Sequence, residues 1–128
     1  MNKFESKTKI HYYTSWVIGS CDDELLEYYK WWWKRIKGIT LMRPKHGAHI
    51  SIVRGLEENI KNGWWEKNLD GPIITFQYEP ELKEGLGYVW LDVQSKQLEQ
   101  IRVDLGLDPH PRFGFHFTIG KSPFHKVK

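Results

Sequence analysis

Two short stretches of this chain repeat one pattern: apolar, His, apolar, Ser or Thr, apolar. It runs through "AHISI", Ala48 to Ile52, and again through "FHFTI", Phe115 to Ile119. Strict alternation of this kind dictates an extended backbone, because successive side chains of a strand point to opposite faces. Ala48, Ile50 and Ile52 then share one apolar face, as do Phe115, Phe117 and Ile119. The opposite face of each strand presents an imidazole beside a hydroxyl. With this composition a given His meets all four neighbour conditions about once in two hundred times, so six His produce about 0.03 accidental matches. Two copies therefore point to a common task for His49, Ser51, His116 and Thr118.

At 128 residues the chain fits a single domain, 1–128, large enough for its own core. No apolar run approaches the length of a membrane span, and the start "MNKFESKTKI" lacks the apolar stretch of a secretory signal. A soluble cytoplasmic protein with no membrane partner is the expectation. The one cysteine, Cys21, excludes an internal disulfide, agrees with a reducing compartment and is expected to serve packing. A net charge of +3 is too small for a duplex-binding surface but helps to attract a phosphate-bearing ligand. Seven Trp, six Tyr and six Phe exceed what a small core needs, so some rings should face solvent or a ligand.

Periodicity gives the order of elements. "KIHYYTSWVIG" reads as a first strand, Ile10 to Ile18. A helix follows, capped by Ser20, with Asp22, Asp23 and Glu24 at its positive end and Lys34, Arg35 and Lys37 at its negative end before Gly38. Leu25, Tyr29, Trp32 and Ile36 form its apolar stripe. The three tryptophans Trp31 to Trp33 cannot all share that stripe, and Trp31 is the one expected to face outward. After the first His strand, "LEENIKNGWWEKNLDGP" is a short helix or irregular excursion ending in a turn at Asp70-Gly71-Pro72. The strands "IITFQYE" and "LGYVWLDVQ" are joined by a polar turn, and in the second of them Tyr88, Trp90 and Asp92 alternate with Val89, Leu91 and Val93. A helix capped by Ser95, with Leu98, Ile101 and Leu105 inward and Gly106 as its stop, leads to the second His strand. The layout is α+β: antiparallel sheets forming an open cleft with helices on the outer face, in two pseudo-symmetric halves that each give one His-x-Ser/Thr strand.

The motifs "HIS" and "HFT" resemble the paired His-x-Ser/Thr motifs of the 2H phosphoesterase superfamily, which includes 2′,5′ RNA ligases and cyclic phosphodiesterases. "PRFGFHFTIGK" is similar to the proline-containing lead-in and glycine-plus-base finish of the family's second motif, and "YVWLDV" with its following helix is similar to the strand and helix that precede it. Nearly the whole chain is covered, the N-terminal third only in its order of elements. Ser51 stands where Thr is commoner, and Lys121 where Arg is.

The resemblance implies a metal-independent and cofactor-free phosphodiesterase, a hydrolase acting on a nucleotide or short oligonucleotide. If the two His strands lie side by side, Ser51 and Thr118 can each donate a hydrogen bond to a non-bridging phosphate oxygen. With a pKa near 6.5, either His49 or His116 can serve as base while the other serves as acid. Arg54, Lys121 and Lys45 lie near the motifs and can offset charge on the phosphate. Trp90 and Tyr88 share the phase of the second His strand's polar face, and Tyr13 with His11 can approach from the first strand; such rings stack on bases. A slip of one residue would substitute Tyr12 and Trp16. By resemblance the substrates fall into two classes. One is small cyclic oligonucleotide messengers, which some compact virus-encoded members destroy to blunt host immunity; this is the favoured class. The other is RNA ends with 2′,3′-cyclic phosphates or 2′,5′ linkages. Two other classes compete: a nucleotide-binding module without chemistry, and a metal-dependent hydrolase using His11, His46 or His110.

Overall fold

The computed structural model describes residues 3–13, 16–45, 47–54 and 69–123. The excursion expected at 56–72 falls mostly outside them, as do His46 and the residues after 123. Seven strands and two helices follow in the order β1 (Phe4–Tyr13), β2 (Trp16–Ser20), α1 (Asp23–Lys37), β3 (His49–Val53), β4 (Leu69–Tyr78), β5 (Lys83–Gly85), β6 (Tyr88–Gln94), α2 (Lys96–Asp104) and β7 (Phe115–Lys121).

The strands are ordered β4-β1-β2-β3-β7-β6-β5, and β4 also pairs with β6 through Gln77 to Gln94 and Tyr78 to Val93. Six antiparallel strands thus close into a barrel, with β5 paired to β6 beside the seam. This overturns the open cleft. The strands do not part into two halves either, because β4 runs antiparallel along β1 from Phe4–Tyr78 to Tyr12–Leu69. The two helices pack on the strands: Leu26, Tyr29 and Trp33 of α1 and Leu98 and Ile101 of α2 join Ile10, Ile50, Phe76, Leu91 and Phe117 in one continuous core. Alternation reports which residues of a strand face together, but ring closure depends on pairs such as Tyr78 and Val93 that no local pattern links.

Several local expectations shift. The first strand folds back as a hairpin, with Lys9 opposite Ser20 and Tyr13 opposite Trp16; the aromatic and β-branched residues on both sides of it, with no Gly, Pro, Asn or Asp between, hid the reversal. Asp22 rather than Ser20 caps α1, its carboxylate accepting from the Glu24 amide at 2.9 Å, and Gly38 in the left-handed conformation ends it. The buried stripe is Leu26, Tyr29 and Trp33 rather than Leu25, Tyr29, Trp32 and Ile36, one residue out of phase; three successive tryptophans offer no polar contrast to set it. Trp31 is exposed as expected. Asp70-Gly71-Pro72 lies within β4, where the pairing with β1 skips a residue, instead of forming a turn. The polar turn before β6 contains β5, joined to β6 by a tight hairpin in which both Leu86 and Gly87 have positive φ, 51° and 84°. Ser95 caps α2 as expected, accepting from the Leu98 amide. No helix among the described residues is long and apolar enough to cross a membrane.

Candidate functional site

With Ile50 and Phe117 buried opposite each other, the register of β3 and β7 sets Ser51 across from His116 and His49 across from Thr118 on the face of the barrel wall turned away from that core. The four motif side chains thus occupy the corners of a square on adjacent strands. The two histidines lie on its diagonal, where neighbours are about 7–8 Å apart. The square belongs to two rows that cross the wall. One runs His11, Ile18, Ser51, His116, Asp92; the other runs Lys9, Ser20, His49, Thr118, Trp90, Lys83.

Two β-bulges bring cations to this wall. On β3, Val53 pairs with Val17 while Ser51 pairs with Ile18, so Ile52 is an extra residue. Strict alternation would turn Arg54 toward the core with Ile50 and Ile52; the bulge turns Val53 inward and Arg54 outward. On β7, Lys121 pairs with Tyr88 and Gly120 with Val89, but Thr118 pairs with Trp90, which makes Ile119 the extra residue. Lys121 thereby joins Tyr88 and Trp90, its Nζ lying 5.6 Å from the centre of the Tyr88 ring. A side chain at Gly120 would meet the Met42 carbonyl oxygen at 2.6 Å, so only glycine fits the bulge.

Both imidazoles have a defined tautomer. The Gly47 carbonyl can only accept, so His49 Nδ1, 2.9 Å away, carries the proton. Arg54 can only donate, and its Nη2 lies 3.1 Å from His116 Nε2, which is therefore the acceptor; the Phe113 backbone engages the other ring nitrogen. In each ring Nε2 is the basic atom. Burial lowers the pKa of His116 and Arg54 lowers it further, the nearby His49 acting in the same sense; Asp92 and the Phe113 backbone oppose them. The lowered pKa and the Arg54 donor at Nε2 both favour the neutral ring.

His116 and Thr118 line a hollow of about 650 Å³ together with Arg54, Tyr88, Trp90 and Phe113. His49 and Ser51 stand on the next strand and are not among its described lining residues. Trp90 donates from Nε1 to Asp92 at 3.0 Å, and its ring centre is 6.1 Å from that of His116. Asp92 also holds Lys83 at 2.6 Å, which raises the lysine pKa. Tyr13 shares the outward face but lies away from the hollow, stacked between His11 at 6.1 Å and Trp16 at 4.9 Å.

Asp92, Lys83, Leu86 and Phe113 line the hollow and escaped sequence reasoning as site residues. Asp92 carries a detectable signal, since it alternates in phase with Trp90. Lys83 carries none, because its segment reads as a turn, and Leu86, which reads as the start of the following strand, sits instead in the hairpin between β5 and β6. Leu86 is 82% exposed and holds a left-handed backbone that costs a residue with a β-carbon about 1–2 kcal/mol, while lining the hollow. Of the alternative metal ligands, His11 is bonded to Asp70 at 2.9 Å and His110 lines a separate hollow of about 530 Å³, while His46 lies outside the described residues. Among the described residues no three His, Cys, Asp or Glu side chains cluster. Burial pushes the Cys21 thiol up to about 12, which suits the packing role expected of it. Comparison with protein-family models, with curated proteins and with solved structures finds no match.

Proposed function

We propose that this chain is a phosphodiesterase of the 2H type, cleaving a small cyclic oligonucleotide by general acid–base catalysis between His116 and His49. The observation that carries the reading is the square of two imidazoles and two hydroxyls on adjacent strands, with a cation on its border. A phosphate oxygen, being anionic, competes with the neutral His116 nitrogen for the Arg54 guanidinium, and charge-assisted bonds are the stronger. Substrate binding would therefore draw Arg54 onto the phosphate and release His116 Nε2 as the base. His116 takes the proton of an attacking ribose 2′-hydroxyl or water, a new P–O bond forms, and the opposite P–O bond breaks. His49, in its protonated form, gives its Nε2 proton to the departing oxygen. Ser51 and Thr118 donate to the non-bridging oxygens and hold phosphorus between the rings. No metal or cofactor enters this sequence of steps.

A hollow of about 650 Å³ rimmed by Tyr88, Trp90, Leu86 and Phe113 favours a compact nucleotide over a long RNA, which asks for a basic track. The test is a panel of cyclic di- and trinucleotides beside an RNA ending in a 2′,3′-cyclic phosphate, incubated with chelator and resolved by product. Cleavage of a cyclic oligonucleotide, reduced about 10²- to 10⁴-fold in His49→Ala and His116→Ala, supports the proposal. Cleavage confined to the RNA end moves the substrate to the second class. Binding without turnover by the unaltered protein would make it a nucleotide-binding module and end the enzymatic reading.

A further inference from the structure

We propose that the outward face of α1 pairs with the same face of a second copy of this chain, antiparallel, about a two-fold axis. Opposite the buried Leu26, Tyr29 and Trp33, the helix presents Glu24, Tyr28, Trp31 and Arg35 along one stripe. Two large rings there, Tyr28 at 51% and Trp31 at 52% exposure, are left in solvent. They are already ordered against Trp32, with ring centres 6.4 and 5.3 Å from it, so little freedom remains to lose on contact.

The stripe is complementary to itself. In an antiparallel pair of helices, the register that sets Tyr28 against the partner's Trp31 also sets Glu24 against the partner's Arg35, because both pairs share one midpoint. Symmetry then doubles every contact: a central patch of four rings is flanked at each end by an ion pair. That is the arrangement of an isologous interface, an aromatic centre with a charged rim. Helix dipoles account for an acid near the start of α1 and a base near its end. They do not account for both charges lying on the stripe that carries the exposed rings. The charge of the stripe is balanced, which fits a copy of itself and does not suit an anionic lipid surface or a strongly charged peptide. Asp23 and Glu27, beside the stripe, are engaged by Arg43 at 2.7 and 3.3 Å.

The test is sedimentation of the full chain over a concentration series. A dimer is expected for the natural sequence, with Trp31→Ala monomeric. Glu24→Lys alone and Arg35→Glu alone each place like charges at both ends and weaken association by at least about tenfold. The double variant E24K/R35E restores it. All four side chains are exposed, so unchanged far-ultraviolet circular dichroism verifies that each variant folds. A natural chain that stays monomeric throughout, a dimer indifferent to both single reversals, or a double variant that fails to recover would each overturn the proposal.

Discussion

Arg102 of α2 donates from Nη1 to the Ile52 carbonyl at 2.8 Å, and Ile52 is the extra residue of the β3 bulge. The arginine is 2% exposed, and its Nε donates to the Asp108 carbonyl at 2.7 Å. A buried guanidinium thus fastens a helix to the irregularity that turns Arg54 toward His116. Arg102→Ala leaves both carbonyls short of a buried donor and is expected to destabilise the fold by about 3 kcal/mol, read as a lowered urea midpoint. The ring signals of His116 should move with it, since Arg54 loses its mooring.

Arg54→Gln removes a positive charge that helps to hold the His116 pKa down. The pKa of His116 should then rise, measured by NMR titration of its ring protons. If His116 is the base, the acidic limb of the kcat/KM profile moves to higher pH by the same amount. A limb that stays in place while the NMR titration shifts would assign the base elsewhere.

The depressed His116 pKa is also linked to stability. The unfolded chain takes up a proton near the ordinary 6.5, while the folded chain resists it because the ring is buried and faces Arg54. Stability from this group is present in full above that ordinary value and is lost as pH falls through the lower folded pKa. Denaturation midpoints should decline across that window in the natural protein and decline less in His116→Gln.

Leu86 holds its strained backbone at the tip of the β5–β6 hairpin. Asparagine tolerates the left-handed region, so Leu86→Asn is expected to stabilise the fold by up to about 1 kcal/mol, seen as a higher melting temperature. It also removes an apolar group from the rim of the hollow, so nucleotide affinity should fall. A variant both more stable and equally tight would deny Leu86 a part in binding.

Gly120→Ala drives a methyl group toward the Met42 carbonyl and the Leu41 side chain, at 2.6 and 2.8 Å before relaxation. A loss of about 1–3 kcal/mol is expected. Lys121, aimed by the same bulge, should lose its place over Tyr88, which tryptophan and tyrosine fluorescence quenching can follow.

Much of the site was readable from the chain alone, because alternation in a strand is a local property. The facing of His49 with Ser51, of His116 with Thr118, and of Trp90 with Tyr88 needs only a period of two. The caps at Ser95 and the end of α1 at Gly38 are equally local. What periodicity cannot carry is the partner of each strand. The adjacency of β3 and β7, and hence the square of four side chains, arises from pairing between segments more than sixty residues apart.

The closed barrel belongs to that second category. Its last seam joins Tyr78 to Val93, and nothing near either residue marks them as neighbours. The same holds for Arg54 and Lys121, whose position in sequence placed them by the motifs while simple alternation faced them toward the core. Two bulges, each fitted to its neighbours across the sheet, reversed them. Side-chain facing is set by the geometry of a single strand, whereas strand order, ring closure and bulges minimise the free energy of the whole assembly, and so only the folded chain decided them.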